Sequence, residues 1–179
     1  MDEIEVPIET VQEHMNEHVI EHGGSGWVAK AALTAAILAV FAALAALLAG
    51  YHVNEAMVSQ IKASDKWSYY QAKGIKSYVL GAKLDLLTAM KQKTSEKDEE
   101  KLVENRKEQE EISKEAKEKE AESQHHFAIH EVLARAVTFF QIAIAISAVS
   151  VLTKRRKFLL LSVGFGLVGF CFLVFSFLK

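Results

Sequence analysis

Three long uncharged runs constrain this chain more than any other feature. Residues 31–51 and 158–178 each contain 21 consecutive residues without Asp, Glu, Lys or Arg, and residues 136–153 contain 18. A helix needs about 20 mostly apolar residues to cross the roughly 30 Å apolar core of a bilayer. The sequence therefore predicts an integral membrane protein with three transmembrane helices.

Charged residues are concentrated between the first and second runs. Residues 54–133 contain 14 of the 21 Lys and Arg and 16 of the 23 Asp and Glu. The one proline, Pro7, is near the N-terminus, and alternating strand-like patterns are almost absent. We therefore predict an all-α integral membrane protein in which a long extramembrane antiparallel helical hairpin connects the first two spans.

The predicted segments follow from these shifts in composition. They are an acidic amphipathic N-terminal helix with a glycine joint (1–27), transmembrane helix 1 (28–53), the charged, coiled-coil-like hairpin (54–133), transmembrane helix 2 (134–153), a basic loop (154–157) and transmembrane helix 3 (158–179).

The basic loop predicts an orientation in the membrane. Its four residues, the basic tetrad, are Lys154, Arg155, Arg156 and Lys157. Short loops rich in Lys and Arg favour the cytoplasmic side of a membrane. We therefore expect the N-terminus and the tetrad in the cytoplasm and the hairpin outside it. Basic residues near the opposite ends of the spans leave the reverse orientation open.

Small residues mark two of the spans. In the first, small residues recur at four-residue steps, a spacing that lets helix backbones approach closely in lipid. Two rows have this spacing: Ala35, Ala39 and Ala43, and Ala42, Ala46 and Gly50. The alanine set drawn from them is Ala35, Ala39, Ala43, Ala46 and Gly50. The third span offers Ser162, Gly166 and Gly169 on one possible packing face. The alternative, that alanine is merely tolerated in any apolar helix, stays open.

The first arm of the hairpin carries an apolar seam. Residues 54–91 are expected to form one helix continuous with the first span, and Ser95 is expected to cap the return helix, with Asp98 three residues on. The seam residues follow steps of 3, 4, 3, 4 and 3, typical of a coiled coil with small side chains. The apolar seam is Ala72, Ile75, Val79, Ala82, Leu86 and Ala89. The return arm is too polar to cover it, so we expect other copies of the chain to do so. A single-chain antiparallel pair without a partner is the alternative.

Two polar patterns are candidates for chemistry. His14, His18 and His22 recur every four residues, a spacing that two zinc ligands on one helix face can use, and His126 and His130 share it. The flexible acidic tail supplies no closed ligand cage, so we expect no bound metal and no cofactor. We expect instead an amphipathic helix that meets a protein partner or the basic tetrad.

The second pattern is a group of aromatic and polar residues beyond the first span. This aromatic cluster is Asp65, Trp67, Tyr69, Tyr70, Gln71 and Lys73. Trp and Tyr favour membrane interfaces and contacts between helices, so packing is the favoured role and a ligand site the alternative.

The stretch that contains this cluster is similar to a known family. Residues 63–78 read ASDKWSYYQAKGIKSY, and together with the alanine-rich first span and the closing pair of spans they resemble an uncharacterised bacterial membrane-protein family, known only as a domain of unknown function. The resemblance implies a bacterial inner-membrane protein, and it implies no activity, substrate or catalytic residue.

No recognisable catalytic motif is present. The sequence has no phosphate-binding loop and no nucleophile motif, and the spans contain no ionisable residue of the kind that an ion-coupled transporter needs. The net charge of −2 argues against a nucleic-acid partner. We therefore expect a homo-oligomeric scaffold in contact with lipid, not an enzyme. A passive channel or pore-forming oligomer is the alternative.

Overall fold

The computed structural model describes residues 26–179 and shows an all-helical chain over that range. Its helices are α1 (Gly26–Ala89), α2 (Glu96–Thr153) and α3 (Arg156–Ser176). Each contains a segment long and apolar enough to cross a membrane, judged by length and composition. The predicted all-α class with three long apolar helices is confirmed for the described residues.

Helix α1 runs for 64 residues from the uncharged run into the charged segment. The predicted continuity is confirmed, since no proline interrupts the ladder of backbone bonds. The helix ends where Lys91 adopts the left-handed conformation, with φ of 55°. The amides of Lys91 and Gln92 then bond to the carbonyls of Thr88 and Leu87, at 3.0 and 2.9 Å. This is a Schellman motif, in which lysine occupies the position that glycine usually takes.

Helix α2 begins immediately after Ser95, as its capping pattern predicts. The Ser95 carbonyl accepts hydrogen bonds from the amides of Asp98 and Glu99, at 2.9 and 3.2 Å. The Thr94 hydroxyl donates to the Glu99 carboxylate at 2.8 Å. Acidic residues in this first turn are favourable beside its unpaired amides.

The connection between α2 and α3 is shorter than the basic tetrad. Helix α2 ends at Thr153, and α3 begins at Arg156. Lys154, with φ of 53°, makes the turn. The last two residues of the tetrad therefore belong to the first turn of α3.

The chain divides into two compact units. The first, the three-helix unit, contains the described residues up to His52 together with Ala128–Lys179. The second, the helix-pair unit, is Val53–Phe127. Helices α1 and α2 contribute to both, and α3 belongs to the first.

The core of the three-helix unit is built from small residues around a few large ones. Helix α1 contributes a buried stripe with steps of 4, 3, 4, 3 and 4: Ala31, Ala35, Leu38, Ala42, Ala45 and Ala49. Phe140 of α2 is 1% exposed, and its ring centroid lies 6.0 Å from that of Phe41. Helix α3 buries Ser162, Gly166 and Gly169, as predicted. Small side chains let the three backbones approach closely.

Buried hydroxyl groups in this unit bond to backbone carbonyls of neighbouring helices. Ser147 of α2 donates to Ala31 of α1 at 3.1 Å, and Ser162 of α3 donates to Ala143 of α2 at 2.7 Å. His130 Nδ1 of α2 donates to the Ala49 carbonyl at 2.9 Å. Because residue 31 faces 147 and residue 49 faces 130, α1 and α2 are antiparallel here.

The helix-pair unit packs α1 against α2 in the same antiparallel sense. Its buried residues are mostly small: Ala56, Ser59, Ala63, Ser77, Leu84, Ile112, Ala116 and Ser123. The Ser123 hydroxyl donates to the Ala56 carbonyl at 2.8 Å. Lys66 pairs with Glu115, and Lys83 pairs with Asp98. The contacts therefore follow one register from one end of the unit to the other.

Candidate functional site

The aromatic cluster lies where α1 contacts α2 in the helix-pair unit. The indole Nε1 of Trp67 donates to a carboxylate oxygen of Glu120 at 2.8 Å. The Trp67 ring stands edge-on to Tyr70, with centroids 5.4 Å apart and planes at 80°. Trp67 therefore bonds across to the opposite helix through its one polar atom, while its ring packs against Tyr70 of its own helix.

Lys73 is the one cation of the cluster, and its side chain is largely enclosed. Its side chain is 14% exposed and forms an ion pair with Glu108 of α2. Its ammonium also donates to Asn105 Oδ1 at 3.2 Å and lies 5.7 Å from the Tyr69 ring centroid. The hydrogen bond to Glu108 raises the pKa of Lys73, and partial desolvation opposes that rise. Lys73 therefore stays charged in its site and forms an ion pair with the buried oxygen of Glu108.

Gly74 lies opposite Gln109 of α2. The Gln109 amide donates to the Tyr70 carbonyl at 3.3 Å. A Cβ added at Gly74 would lie 2.6 Å from that amide nitrogen. Glycine therefore leaves the space that this cross-helix bond uses. The polar pattern of the return arm suggests a solvated Gln109, but the structure half-buries it.

The members of the cluster differ in what they contact. Trp67 and Lys73 reach α2 through their side chains, and Tyr70 reaches it through its backbone carbonyl. Asp65 and Gln71 are exposed, and Tyr69 is 48% exposed. The geometry is that of a clasp between helices. The partner residues on α2 belong to no sequence motif. The signal that locates them is an antiparallel count of residues from the turn between α1 and α2.

The apolar seam lies on a different face of α1 from these contacts. All six of its residues are exposed. The large ones, Ile75, Val79 and Leu86, are 65%, 61% and 61% exposed, and neighbouring Tyr78 is 80% exposed. Within one chain α1 thus packs on α2 through its small and polar face. A single chain therefore forms the antiparallel helix pair and still leaves the apolar seam uncovered.

The alanine set divides between two faces of α1. Ala35 is fully buried, and Ala39 packs at the edge of the core. Ala43 and Ala46 are exposed, and Gly50 is half-buried. Contacts within the chain instead use the buried stripe from Ala31 to Ala49, because its alternating steps of four and three keep one face inward. A role for Ala43 and Ala46 between copies stays a prediction.

The histidines give no metal site among the described residues. His14, His18 and His22 lie outside the residues that the structure describes. Over residues 26–179, no group of three or more His, Cys, Asp or Glu side chains is arranged to hold a metal ion. His130 uses its Nδ1 on the Ala49 carbonyl.

Comparison with known proteins gives one match. A family model described as "Domain of unknown function (DUF4337)" matches residues 27–179. No curated protein and no solved structure matches the chain.

Proposed function

The chain belongs to this family of unknown function, and we propose that it is a multi-pass membrane protein whose copies assemble into a structural scaffold. The observation that carries this proposal is the exposure of the whole apolar seam, while the opposite face of the same helix is buried against α2. The seam is therefore available to a second copy without any rearrangement of the chain.

Insertion in a membrane is supported by the outer surface of the three-helix unit. Large apolar residues also point outward there, while alanine, glycine and serine fill most of the interior around a few large side chains. Leu33, Leu47, Leu160 and Leu167 are 62–74% exposed. A water-soluble bundle buries such residues, whereas lipid tails solvate them. The unit therefore matches a bilayer as its solvent.

Self-assembly is supported by the contrast between the two arms of the helix-pair unit. The exposed face of α2 carries mostly Glu and Lys, whereas α1 exposes Ile75, Val79 and Leu86. Burying apolar surface gains about 25 cal/mol per Å². A second copy of α1 gives these side chains the apolar cover that the charged return arm does not.

The buried polar groups favour a scaffold over a passive channel. The hydroxyls of Ser147, Ser162 and Ser176 all donate to backbone carbonyls. None of these three is left to line a water-filled path. Purified protein in planar bilayers should therefore show no discrete current steps, and such steps would favour the channel.

The assembly is tested by mass in mild detergent. We expect the parent protein to run as an oligomer and Leu86→Glu to run as a smaller species, because like charges would meet across the seam. Val103→Glu is the matched control, since Val103 is 55% exposed on α2 and lies outside the seam. A monomeric parent, or an unchanged oligomer in Leu86→Glu, would contradict self-assembly.

The orientation in a bacterial inner membrane is tested by labelling. Cys171 is the single cysteine, so Cys171→Ser with Lys97→Cys places one thiol in the turn region. We expect a membrane-impermeant thiol reagent to label intact cells stripped of their outer membrane. Labelling only after lysis would place the helix-pair unit in the cytoplasm and reverse the proposed orientation.

A further inference from the structure

An apolar groove opens on the surface of the three-helix unit between α1 and α3. It has a volume of about 200 Å³. Its lining is almost entirely apolar and comprises Thr34, Ile37, Leu38, Phe41, Phe140, Val163, Gly166, Leu167 and Phe170. Phe41 and Phe170 close one end with an edge-to-face contact, centroids 5.5 Å apart. Thr34 and Val163 lie at the other end.

The groove offers a ligand almost no polar surface. Its one hydroxyl, on Thr34, donates to the Lys30 carbonyl of its own helix at 2.8 Å. The floor is formed by Gly166, where an added Cβ would lie 2.6 Å from a methyl carbon of Leu38. Drug-sized ligands occupy pockets of about 300–1,000 Å³. A groove of this size and chemistry suits one hydrocarbon chain.

The open end of the groove lies near a band of cations. Ser147 bonds to Ala31, and Ser162 bonds to Ala143, four residues before Ser147. Because α1 and α2 are antiparallel, Ser162 is level with residue 35 of α1. Counting back five residues on both helices places Lys157 level with Lys30. Arg156 and the rest of the basic tetrad extend this band, and all five cations are exposed.

Acidic groups do not neutralise this band within the described part of the unit. Glu131 is the one acidic side chain among residues 26–52 and 128–179. It adjoins His130, which bonds to Ala49 at the opposite end of the three-helix unit. A membrane-facing cation contributes attraction to anionic lipid worth about a fivefold change in binding.

We infer that this unit holds an anionic phospholipid, with its headgroup phosphate on Lys30, Arg156 and Lys157 and one acyl chain in the groove between α1 and α3. The inference rests on the proposed membrane insertion, and it adds a specific ligand to it. Charge and shape select the ligand together, because the cations lie at the end of the groove that points to the membrane surface.

Lipid retention measures this site directly. The full-length protein is reconstituted in vesicles that contain equal amounts of phosphatidylglycerol and phosphatidylcholine and is then extracted in mild detergent. Native mass spectrometry identifies and quantifies the lipids that it retains. We expect phosphatidylglycerol to exceed phosphatidylcholine by about tenfold or more in the retained lipid. Combining Lys30→Gln, Arg156→Gln and Lys157→Gln should reduce this ratio to near one. Arg135→Gln with Lys179→Gln, at the other end of the unit, should preserve it.

The groove is tested separately from the charge. Leu167→Trp fills the groove and should reduce retained lipid severalfold, whichever headgroup it carries. Leu160→Trp is the matched control, because Leu160 is 74% exposed on the same helix and does not line the groove. Equal retention by both Trp variants would overturn the acyl-chain site. If Leu167→Trp fails to fold, the charge variants still decide the headgroup contact.

Each failure has a distinct signature. A full-length protein without preference for phosphatidylglycerol overturns the lipid site and would fit an acidic N-terminal segment that covers the cations. A neutralised variant that keeps the parent ratio also overturns it. Extraction of the protein from membranes by alkaline carbonate would overturn the proposed membrane function itself, whereas an inserted protein without bound phosphatidylglycerol would leave that function intact.

Discussion

Helix α1 contributes to both units and buries small residues in each, but its outer surface differs between them. In the three-helix unit the exposed side chains are almost all apolar, such as Leu33 and Leu47. In the helix-pair unit, exposed charges flank the apolar seam, and the facing helix is covered with Glu and Lys. The buried residues of α1 are therefore similar in the two units. Its exposed residues differ, and they match lipid in the three-helix unit and water in the helix-pair unit.

The polar contacts between helices differ in the same way. Serine hydroxyls and one histidine reach backbone carbonyls in the three-helix unit. The helix-pair unit keeps one such bond, from Ser123 to the Ala56 carbonyl, and adds charged contacts, where Lys73 meets Glu108 and Trp67 meets Glu120. Charges are costly in hydrocarbon, whereas neutral hydroxyls bonded to carbonyls are tolerated there. Four predictions test this contrast.

The largest effect is expected in the three-helix unit, at Gly169. A Cβ there would lie 3.0 Å from the Phe140 ring and 3.2 Å from the Ala136 carbonyl oxygen. Gly169→Leu should therefore force α3 away from α2 and cost about 3 kcal/mol of unfolding free energy in detergent. Gly164→Leu is the control, because nothing lies within 4 Å of its Cβ position. Equal losses in the two variants would mean that close approach at Gly169 does not hold α3.

The next effect is expected at the clasp of the helix-pair unit. Trp67→Ala removes the hydrogen bond to Glu120 and the edge contact with Tyr70. We expect a loss of about 2 kcal/mol in unfolding free energy, since the side chain is only partly buried. Met57→Ala, at a residue 57% exposed on the same helix, should change it by less than about 0.5 kcal/mol. A loss at Met57 as large as that at Trp67 would contradict the clasp.

A smaller effect should separate two glycines of α1. Gly81 has nothing within 4 Å of its Cβ position, so Gly81→Ala should stabilise the helix by about 1 kcal/mol. Gly74→Ala gains the same helix propensity, but the added methyl group displaces Gln109 from the Tyr70 carbonyl. Loss of that hydrogen bond costs about 1 kcal/mol. Thermal unfolding should therefore show a gain at Gly81 and almost no change at Gly74. Equal gains would show that the Gln109 bond contributes nothing.

The smallest effect is expected when the pH is lowered. A hydrogen bond from Lys119 lowers the pKa of Glu122. A depressed carboxyl pKa adds stability that is present above the unfolded value of about 4.3 and is lost as the pH falls through the folded value. Hydrogen-exchange protection factors, which correct for the intrinsic pH dependence of exchange, should therefore fall first in the helix-pair unit as the pH falls, and Lys119→Met should remove part of that dependence. An equal fall of the protection factors in residues 26–52 would contradict the division of charged contacts between the units.

Local features of this chain follow from sequence alone. The absence of proline after Pro7 allows a 64-residue helix, and the Ser95 pattern marks where α2 begins. The sequence also shows the uncharged runs that are long enough to span a membrane, and the face of α3 that carries Gly166 and Gly169. These features depend on backbone chemistry and on side-chain size at fixed spacing, so no knowledge of the neighbouring helices is needed.

Which face of α1 points inward was decided by tertiary structure. Alanines occur on every side of its first span, so periodicity does not separate the buried Ala42 from the exposed Ala43. Beyond His52 the more apolar stripe is exposed, and a face with Ser59, Gly74 and Ser77 contacts α2. Close packing of two helices selects small side chains and paired polar groups over hydrophobicity, and only the antiparallel register brings Lys73 to Glu108. The sequence alone determined where helices form, and the register between them decided which residues meet.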